Sequence, residues 1–414
     1  MPSVEGARRQ PGQLQERRSR RLLLSAAGVS SLGDGMWTAS VPLAAVAIDR
    51  SASSVAAVSA VALLPWLAVA PVAGALVDRW PTRRVMIVSD LGRAGVIAAL
   101  VLAFFTESVS VPLLAVTAFV VVTGSIFHGA AQQSLVADLT DESDAVRDSM
   151  NARMSTLDVG GASLAGPPTG SAAFAAFTWL PFLADALSFA FSSACVLAIR
   201  TDQKQPPAAP RESVRSAIRI GVAFLMRHRE LRTLAVLTGA ANLTTNCAFV
   251  VLVLYASDPV GLNLKPAQYG FLLTALAIGG VVAGPLAPRL LARWGASRVV
   301  GATLLTRTLV WPAIAITHEP VVAALALMAA GLASTFVTVT VTSARQKLSP
   351  RPMLGRVVTA FRTIGNGAAP VGALLGGILA ELVGLRGTLV SAGVLLAVVS
   401  ALLLPRLLRS ETLR

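Results

Sequence analysis

An all-α integral membrane protein, with twelve transmembrane helices in two six-helix bundles, is the fold class this sequence predicts. Three observations carry it. The 414 residues are 54% apolar and only 14% charged, with a mean hydropathy of +0.69, far outside the range of soluble chains. Apolar stretches of roughly the 20 residues that a hydrocarbon core requires recur along the whole length. Dividing the chain at those stretches puts 30 of its 35 Lys and Arg residues on one membrane face.

The first 21 residues are polar and basic, with Arg8, Arg9, Arg17, Arg18, Arg20 and Arg21. The apolar stretch from Leu22 to about Ile48 is too long for a signal-peptide core and reads as an uncleaved first span. Further spans fall at about 53–77, 85–105, 111–133, 150–172 and 174–199. A polar, Pro-rich stretch with Pro206, Pro207 and, counting Arg200 at its edge, eight cations follows, and spans resume at about 233–256, 267–291, 298–317, 320–343, 357–383 and 385–405. The expected organisation is a basic segment 1–21, a bundle 22–200, a linker 201–232, a bundle 233–405 and a tail 406–414. Pro65, Pro71, Pro167, Pro168, Pro285, Pro288, Pro312 and Pro370 lie within spans, so kinked helices are expected where neighbours can satisfy the freed backbone groups.

Charge placement sets the expected orientation. Lys and Arg gather in short cytoplasmic loops, which puts both termini on the cytoplasmic side of the cell membrane. The opposite face keeps only Arg50, Lys265 and Arg386, and Arg93 and Arg307 lie within spans. The net charge of +14 therefore marks a membrane face and does not point to nucleic acid. Cys195 and Cys247 sit inside apolar runs, which argues against a disulfide framework or a thiolate metal site.

The two halves are weakly similar. Arg79-Trp80-Pro81-Thr82-Arg83-Arg84-Val85, between spans 2 and 3, is echoed by Arg293-Trp294-Gly295-Ala296-Ser297-Arg298-Val299, between spans 8 and 9. Arg153 precedes Pro167 by fourteen residues, as Arg356 precedes Pro370. A parallel repeat about an axis along the membrane normal would place a substrate cavity between the halves near the midplane.

The stretch from Gly74 through Leu76, Asp78, Arg79 and Arg83 to Arg84 resembles the loop 2/3 signature of the major facilitator superfamily, G-x-L-x-D-R-x-G-R-K. Pro81 and Thr82 depart from it. With the 6+6 layout, the resemblance covers nearly the whole chain and implies the major facilitator fold. It also implies that Gly74, Asp78, Arg79, Arg83 and Arg84 form a latch against the start of span 11, near Arg356, with Asp90 and Arg93 as an intrahelical pair supporting it. The segment from Gly160 to Gly170, with Gly166, Pro167, Pro168 and Gly170, is similar to the Gly-Pro signature of exporters and antiporters and implies a hinge in span 5. Phe182-Leu183-Ala184-Asp185 and Ser31-Leu32-Gly33-Asp34 resemble segments of the bacterial drug:proton antiporters that include macrolide and siderophore exporters. The arginine usual in span 4 of other drug:proton antiporters is missing, and the span carries His128, so proton coupling does not follow from that arginine.

Ionisable groups at bilayer depth cost several kcal/mol unless paired or hydrated, which makes them the functional candidates. Asp34, flanked by Gly33 and Gly35, would bind and release a proton or pair with a cationic substrate. Asp158 and Asp185 are further proton-coupling or substrate candidates, the first placed near the cytoplasmic surface. His128 is either a proton relay or a core histidine, and Arg307 is a counter-ion to an acid across the cavity or an anion contact. Asn242 and Asn246, one turn apart, contact substrate or bond helix to helix.

No phosphate loop, HExxH or nucleophile elbow is present, which argues against an enzyme and leaves no catalytic residue, metal or cofactor to expect. An ion gradient is then the expected energy source. The expectation is a monomeric, proton-coupled exporter of lipophilic drugs, antibiotics or related metabolites, with small-molecule substrate, protons and the lipid bilayer as its partners. The alternatives are a siderophore exporter, a proton-coupled nutrient or metabolite symporter, and a non-transporting membrane receptor.

Overall fold

The computed structural model describes residues 11–77, 79–140, 143–199, 214–350 and 353–408, and every element among them is helical. In the first half, α1 (Pro11–Ile48) is followed by α2 (Ala52–Ala68) and α3 (Ala70–Val77), which share one span broken at Val69. Next come α4 (Thr82–Phe105), α5 (Val111–Leu139), α6 (Asp144–Asp158), a π-helical segment (Val159–Ala165), α7 (Gly166–Ala176) and α8 (Leu180–Ala198). After α9 (Val214–Arg227), the second half holds α10 (Arg229–Ser257), α11 (Pro266–Trp294), α12 (Ala296–Ile316), α13 (Pro320–Leu348) and α14 (Leu354–Leu408). The last of these is two limbs that meet at Gly384, whose φ of 75° is a left-handed conformation that glycine adopts without strain.

The expected spans fall on helix, except that the break between spans 5 and 6 lies at 177–179, inside the expected sixth span. Nine helices among the described residues are long and apolar enough to cross a membrane, α14 being counted once over both limbs. Large apolar side chains such as Val88, Ile316, Val321 and Leu382 point outward and are exposed. A belt of that kind is a liability in water and a lipid-facing surface in a bilayer. Between α1 and α2, the Ser54 and Ser51 hydroxyls and the Ser51 amide donate to Asp49, which holds its carboxyl below the usual range, while Ser51 also accepts from the Ser54 amide to cap α2.

The stretch expected as a plain linker holds α9, an amphipathic helix. Leu225 is fully buried, Val222 and Phe224 pack beside it, and Arg219 and Arg227 face out. Gly221 lets α9 lie directly on the Arg356 carbonyl of α14. The alternation of arginines with apolar residues hid this helix from a reading by span hydropathy.

Packing between the halves is uneven along the bundle axis. Near the chain termini the core is split, with Leu23, Met86, Leu135 and Met150 clustering in one half and Leu231, Leu304, Val357 and Phe361 in the other. Toward the far end one cluster joins both halves, from Trp37 and Phe182 to Val251 and Ile314. The far-end seal rests on two pairs of helices, α2 with the first limb of α14, where Gly377 sits against Ala56, and α7 with α11.

Glycines set how closely α1 approaches span 5. A Cβ on Gly35 would stand 2.7 Å from the Ala162 carbonyl oxygen and 2.8 Å from that of Gly161, both in the π-helical segment. Gly35→Ala is expected to cost about 1–3 kcal/mol of overpacking and to lower the thermal unfolding midpoint of the purified protein. Gly95→Ala, at a position with nothing within 4 Å of an added Cβ, should leave that midpoint unchanged.

Candidate functional site

The polar interior of the first half is assembled around Arg93. This residue lies on α4, and its side chain is only 2% exposed. Its Nη2 forms an ion pair with Asp90, one turn earlier on the same helix. Its Nη1 lies 3.8 Å from Asp34 Oδ1 on α1 and donates to Ser125 Oγ on α5 at 3.1 Å. The guanidinium also stacks on the Phe189 ring of α8, 3.8 Å from its centroid. Gly124 admits the arginine stem, since a Cβ there would stand 2.7 Å from Arg93 Cγ. His128, one turn beyond Gly124 on α5, places Nδ1 2.8 Å from Asp90 Oδ1.

Asp34 is the member of this group that meets open space, with its side chain 38% exposed. It shares a cavity of about 390 Å3 with Arg93, His128, Gln132, Asn151 and Asp158, toward the terminal end of the first half. Asp158 is an exposed wall residue of that cavity. Asp185 is fully buried on α8, where Ser188 donates to its Oδ1 at 3.3 Å and its Oδ2 finds no hydrogen-bond partner. Gly33 on α1 leaves the room that this carboxylate occupies.

A second cavity, of about 380 Å3, lies between the halves, with Thr38, Ser163 and Pro167 on one wall and Asn246, Phe249 and Tyr269 on the other. Its first wall is shaped by two consecutive prolines. Pro167 and Pro168 have no N–H, so the helix cannot close its usual bonds four residues back. The Gly166 amide instead reaches Gly161, five residues back, and the segment becomes π-helical. The Leu164 carbonyl, which Pro168 leaves open, accepts from Thr274 Oγ1 of α11 at 3.1 Å. Ser171 completes the seal by donating to the Ala267 carbonyl at 3.2 Å and accepting from the Gly270 amide at 3.1 Å. Gly170 gives close approach to Met36.

The remaining candidates separate. Asn246 lines the central cavity and donates to the Asn242 carbonyl at 2.8 Å, while Asn242 donates to the Gly365 carbonyl of α14 at 3.0 Å. Arg307 donates from Nη2 to Thr245 Oγ1 at 2.9 Å and to the Ala241 carbonyl at 3.3 Å. Among the described residues no carboxylate pairs with it, so the expected counter-ion to an acid is not what the structure holds.

In the loop signature Asp78 lies outside the described residues, Gly74, Arg79 and Arg84 are exposed, and Arg83 donates to the Val196 and Leu197 carbonyls at the end of α8. Asp90 and Arg93 do pair, but in the bundle interior with Asp34 and His128 and not beneath that loop. Arg93 of α4 reaches span 4 through its bond to Ser125 of α5. Sequence reasoning did not find Ser125, Ser171, Thr274 or Phe189, because single hydroxyls and aromatics at helical spacing carry no signal above ordinary packing.

A family model described as transmembrane secretion effector matches residues 16–412. The chain is 28% identical over 402 residues to the multidrug efflux pump Tap of Mycolicibacterium fortuitum, covering 93% of this chain and 95% of that protein. It is 26% identical over 387 residues to Tap of Mycobacterium tuberculosis, covering 89% and 88%. Among solved structures it is similar to the nucleoside transporter NupG, at 12% identity and a TM-score of 0.74 over 94% of this chain and 100% of that one. It is similar too to a bacterial homologue of the iron transporter ferroportin, at 18% identity and a TM-score of 0.74 over 94% and 99%. At these identities the structural likeness is one of fold.

Removing one partner of a buried ion pair leaves an uncompensated charge, which costs about 3–5 kcal/mol. Asp90→Asn is therefore expected to lower the unfolding midpoint sharply, and the double change Asp90→Asn with Arg93→Gln to lower it less. Thermal unfolding of the purified variants checks both.

Proposed function

We infer the function from one premise, that the chain belongs to the transmembrane secretion effector family of the major facilitator transporters. It is a multi-pass membrane transporter that handles small molecules, and its chemistry is movement across a bilayer and not catalysis. On our reading it is a proton-coupled exporter of lipophilic drugs and related metabolites, working by alternating access in the cell membrane with both termini cytoplasmic. The names of the Tap relatives support drug export, and the gathering of Lys and Arg toward the terminal end supports the orientation.

The observation that carries the coupling proposal is the Asp34 carboxylate, open to a cavity on one side and 3.8 Å from a fully enclosed Arg93 on the other. A proton arriving on Asp34 cancels its attraction for the guanidinium, which Asp90 and the Phe189 ring then hold alone. Loss of the proton restores that attraction. Asp34 and Arg93 stand on different helices, so the protonation state biases how α1 is held to the Arg93 guanidinium, and α1 is also the helix that the span 5 hinge of Gly166, Pro167, Pro168 and Gly170 rests on. His128 and Asp158 line the cavity that Asp34 opens to, and Asp185, buried against Gly33, would be a second proton site. Each proton moving down 100 mV supplies about 2.3 kcal/mol.

The split core near the termini and the far-end seal correspond, on this reading, to a state open to the cytoplasm. Asp78, Arg79, Arg83 and Arg84 would engage the start of α14 in the opposite state, after leaving the α8 carbonyls that Arg83 now caps. Substrate would occupy the central cavity between Thr38 and Asn246.

Inverted membrane vesicles with a fluorescent lipophilic dye in the outside medium test the proposal. An imposed proton gradient should drive dye uptake by the wild-type protein. Asp34→Asn should reduce it to the background of vesicles without the protein. Uptake by Asp34→Asn equal to that of the wild type would remove Asp34 from the coupling.

A further inference from the structure

The two arginines that lie within spans are repeat equivalents. Arg93 follows Arg79 of the first loop motif by fourteen residues, and Arg307 follows Arg293 of its echo by the same fourteen. Both reach from the corresponding helix, α4 or α12, to the first helix of their own half. Arg93 reaches Asp34 on α1, and Arg307 reaches Thr245 and the Ala241 carbonyl on α10.

Their surroundings differ in one respect. The first half neutralises its arginine with Asp34 and Asp90. In the second half the position matching Asp90 is Leu304, eleven residues into the echoed motif, and the group on the first helix is the Thr245 hydroxyl. Among the described residues Arg307 has no carboxylate partner, and both of its hydrogen bonds to protein leave from Nη2. A guanidinium carries five N–H donors, so Nε and Nη1 remain to be matched. A full charge kept at bilayer depth without an internal counter-charge is costly and marks a ligand site.

The site adjoins residues that wall the central cavity. One turn beyond the Arg307–Thr245 bond, Trp311 stands edge-on to Phe249, with ring centroids 5.5 Å apart. Phe249 and Asn246, the residue next to Thr245, both line that cavity. A ligand lying against Phe249 would have its polar end within a helical turn of the arginine.

We propose that Arg307 is an anion-binding site of the second half, which takes the carboxylate or similar monoanionic group of an amphipathic substrate whose apolar body lies against Phe249. The substrate class is then amphiphiles bearing a negative group, and the charge that the first half supplies from its own acids is supplied in the second half by the cargo. The inference rests on the reading of the chain as a transporter. Its test is binding alone, so a failure of proton coupling would leave the outcome intact.

The probe is 1-naphthoate, compared with its uncharged amide, titrated calorimetrically into purified full-length protein in nanodiscs of zwitterionic lipid. Naphthoate should bind and the amide should not. Arg307→Gln should abolish naphthoate binding, and Arg307→Lys should retain part of it. Thr245→Asp, which rebuilds the internal pair of the first half, should also abolish binding while raising the unfolding midpoint, so that loss of binding is separated from loss of fold. Chloride titrated alone distinguishes an inorganic anion from an organic carboxylate: chloride binding that Arg307→Gln abolishes, with no naphthoate binding in chloride-free buffer, overturns the substrate assignment. Absence of naphthoate binding, equal binding to the amide, or unchanged binding by Arg307→Gln overturns the site.

Discussion

Burying the Arg93 guanidinium among four helices constrains much of the first half. The charge cannot be left unpaired at that depth, so α4 places Asp90 one turn away and α1 places Asp34 opposite. The stem needs space, so α5 has Gly124 where a Cβ would overlap it. The flat face needs a partner that does not compete for hydrogen bonds, and the Phe189 ring of α8 provides it. Charge, volume and ring stacking therefore select residues on α1, α4, α5 and α8 together. A change at any of them is felt on α1, whose Asp34 carries the one carboxylate of the group that is open to a cavity.

Backbone satisfaction is the second constraint, and it joins the halves. Two adjacent prolines withdraw two donors from span 5, and in a membrane the freed carbonyls must be answered from inside the protein. The π-helical segment answers part of this locally, and Thr274 of the other half answers the Leu164 carbonyl. Ser171 adds two more bonds to α11. A single hydrogen bond contributes on the order of 1 kcal/mol net, so these few bonds add modestly to the apolar cluster that joins the halves at the far end and chiefly fix the register of α7 against α11.

How far the sequence could be read follows from the range of each signal. Span positions were legible because hydropathy needs only a local window, and the helices coincide with them down to the break at Gly384 in α14. Asp34 and Arg307 stood out because charge within an apolar run is a one-residue observation. The setting of Arg93 was not legible in the same way. Its spacing to Asp90 suggested a local pair at a loop, whereas Asp34, Ser125 and Phe189 come from three other helices, and no spacing rule relates them. For the same reason Thr274 was invisible, being one threonine among many until the Pro168 vacancy was placed beside it. The amphipathic α9 was missed because a basic, Pro-preceded segment reads as linker when only mean apolarity is scored.

The comparison of Arg93 with Arg307 bears on how the two halves divide the work. A duplicated bundle begins with equivalent cations on equivalent helices, and each must be neutralised or must find a ligand. In the first half the neutralising acids belong to the protein, so the net charge of the group changes when a proton binds or leaves Asp34. In the second half Leu304 stands where Asp90 does, and Arg307 bonds to a hydroxyl and a carbonyl of α10, so among the described residues the group has no protein acid to titrate. On the proposed reading, one half answers protons and the other answers cargo. A rocking of the halves about the α2–α14 and α7–α11 contacts would then be the step in which the two answers meet.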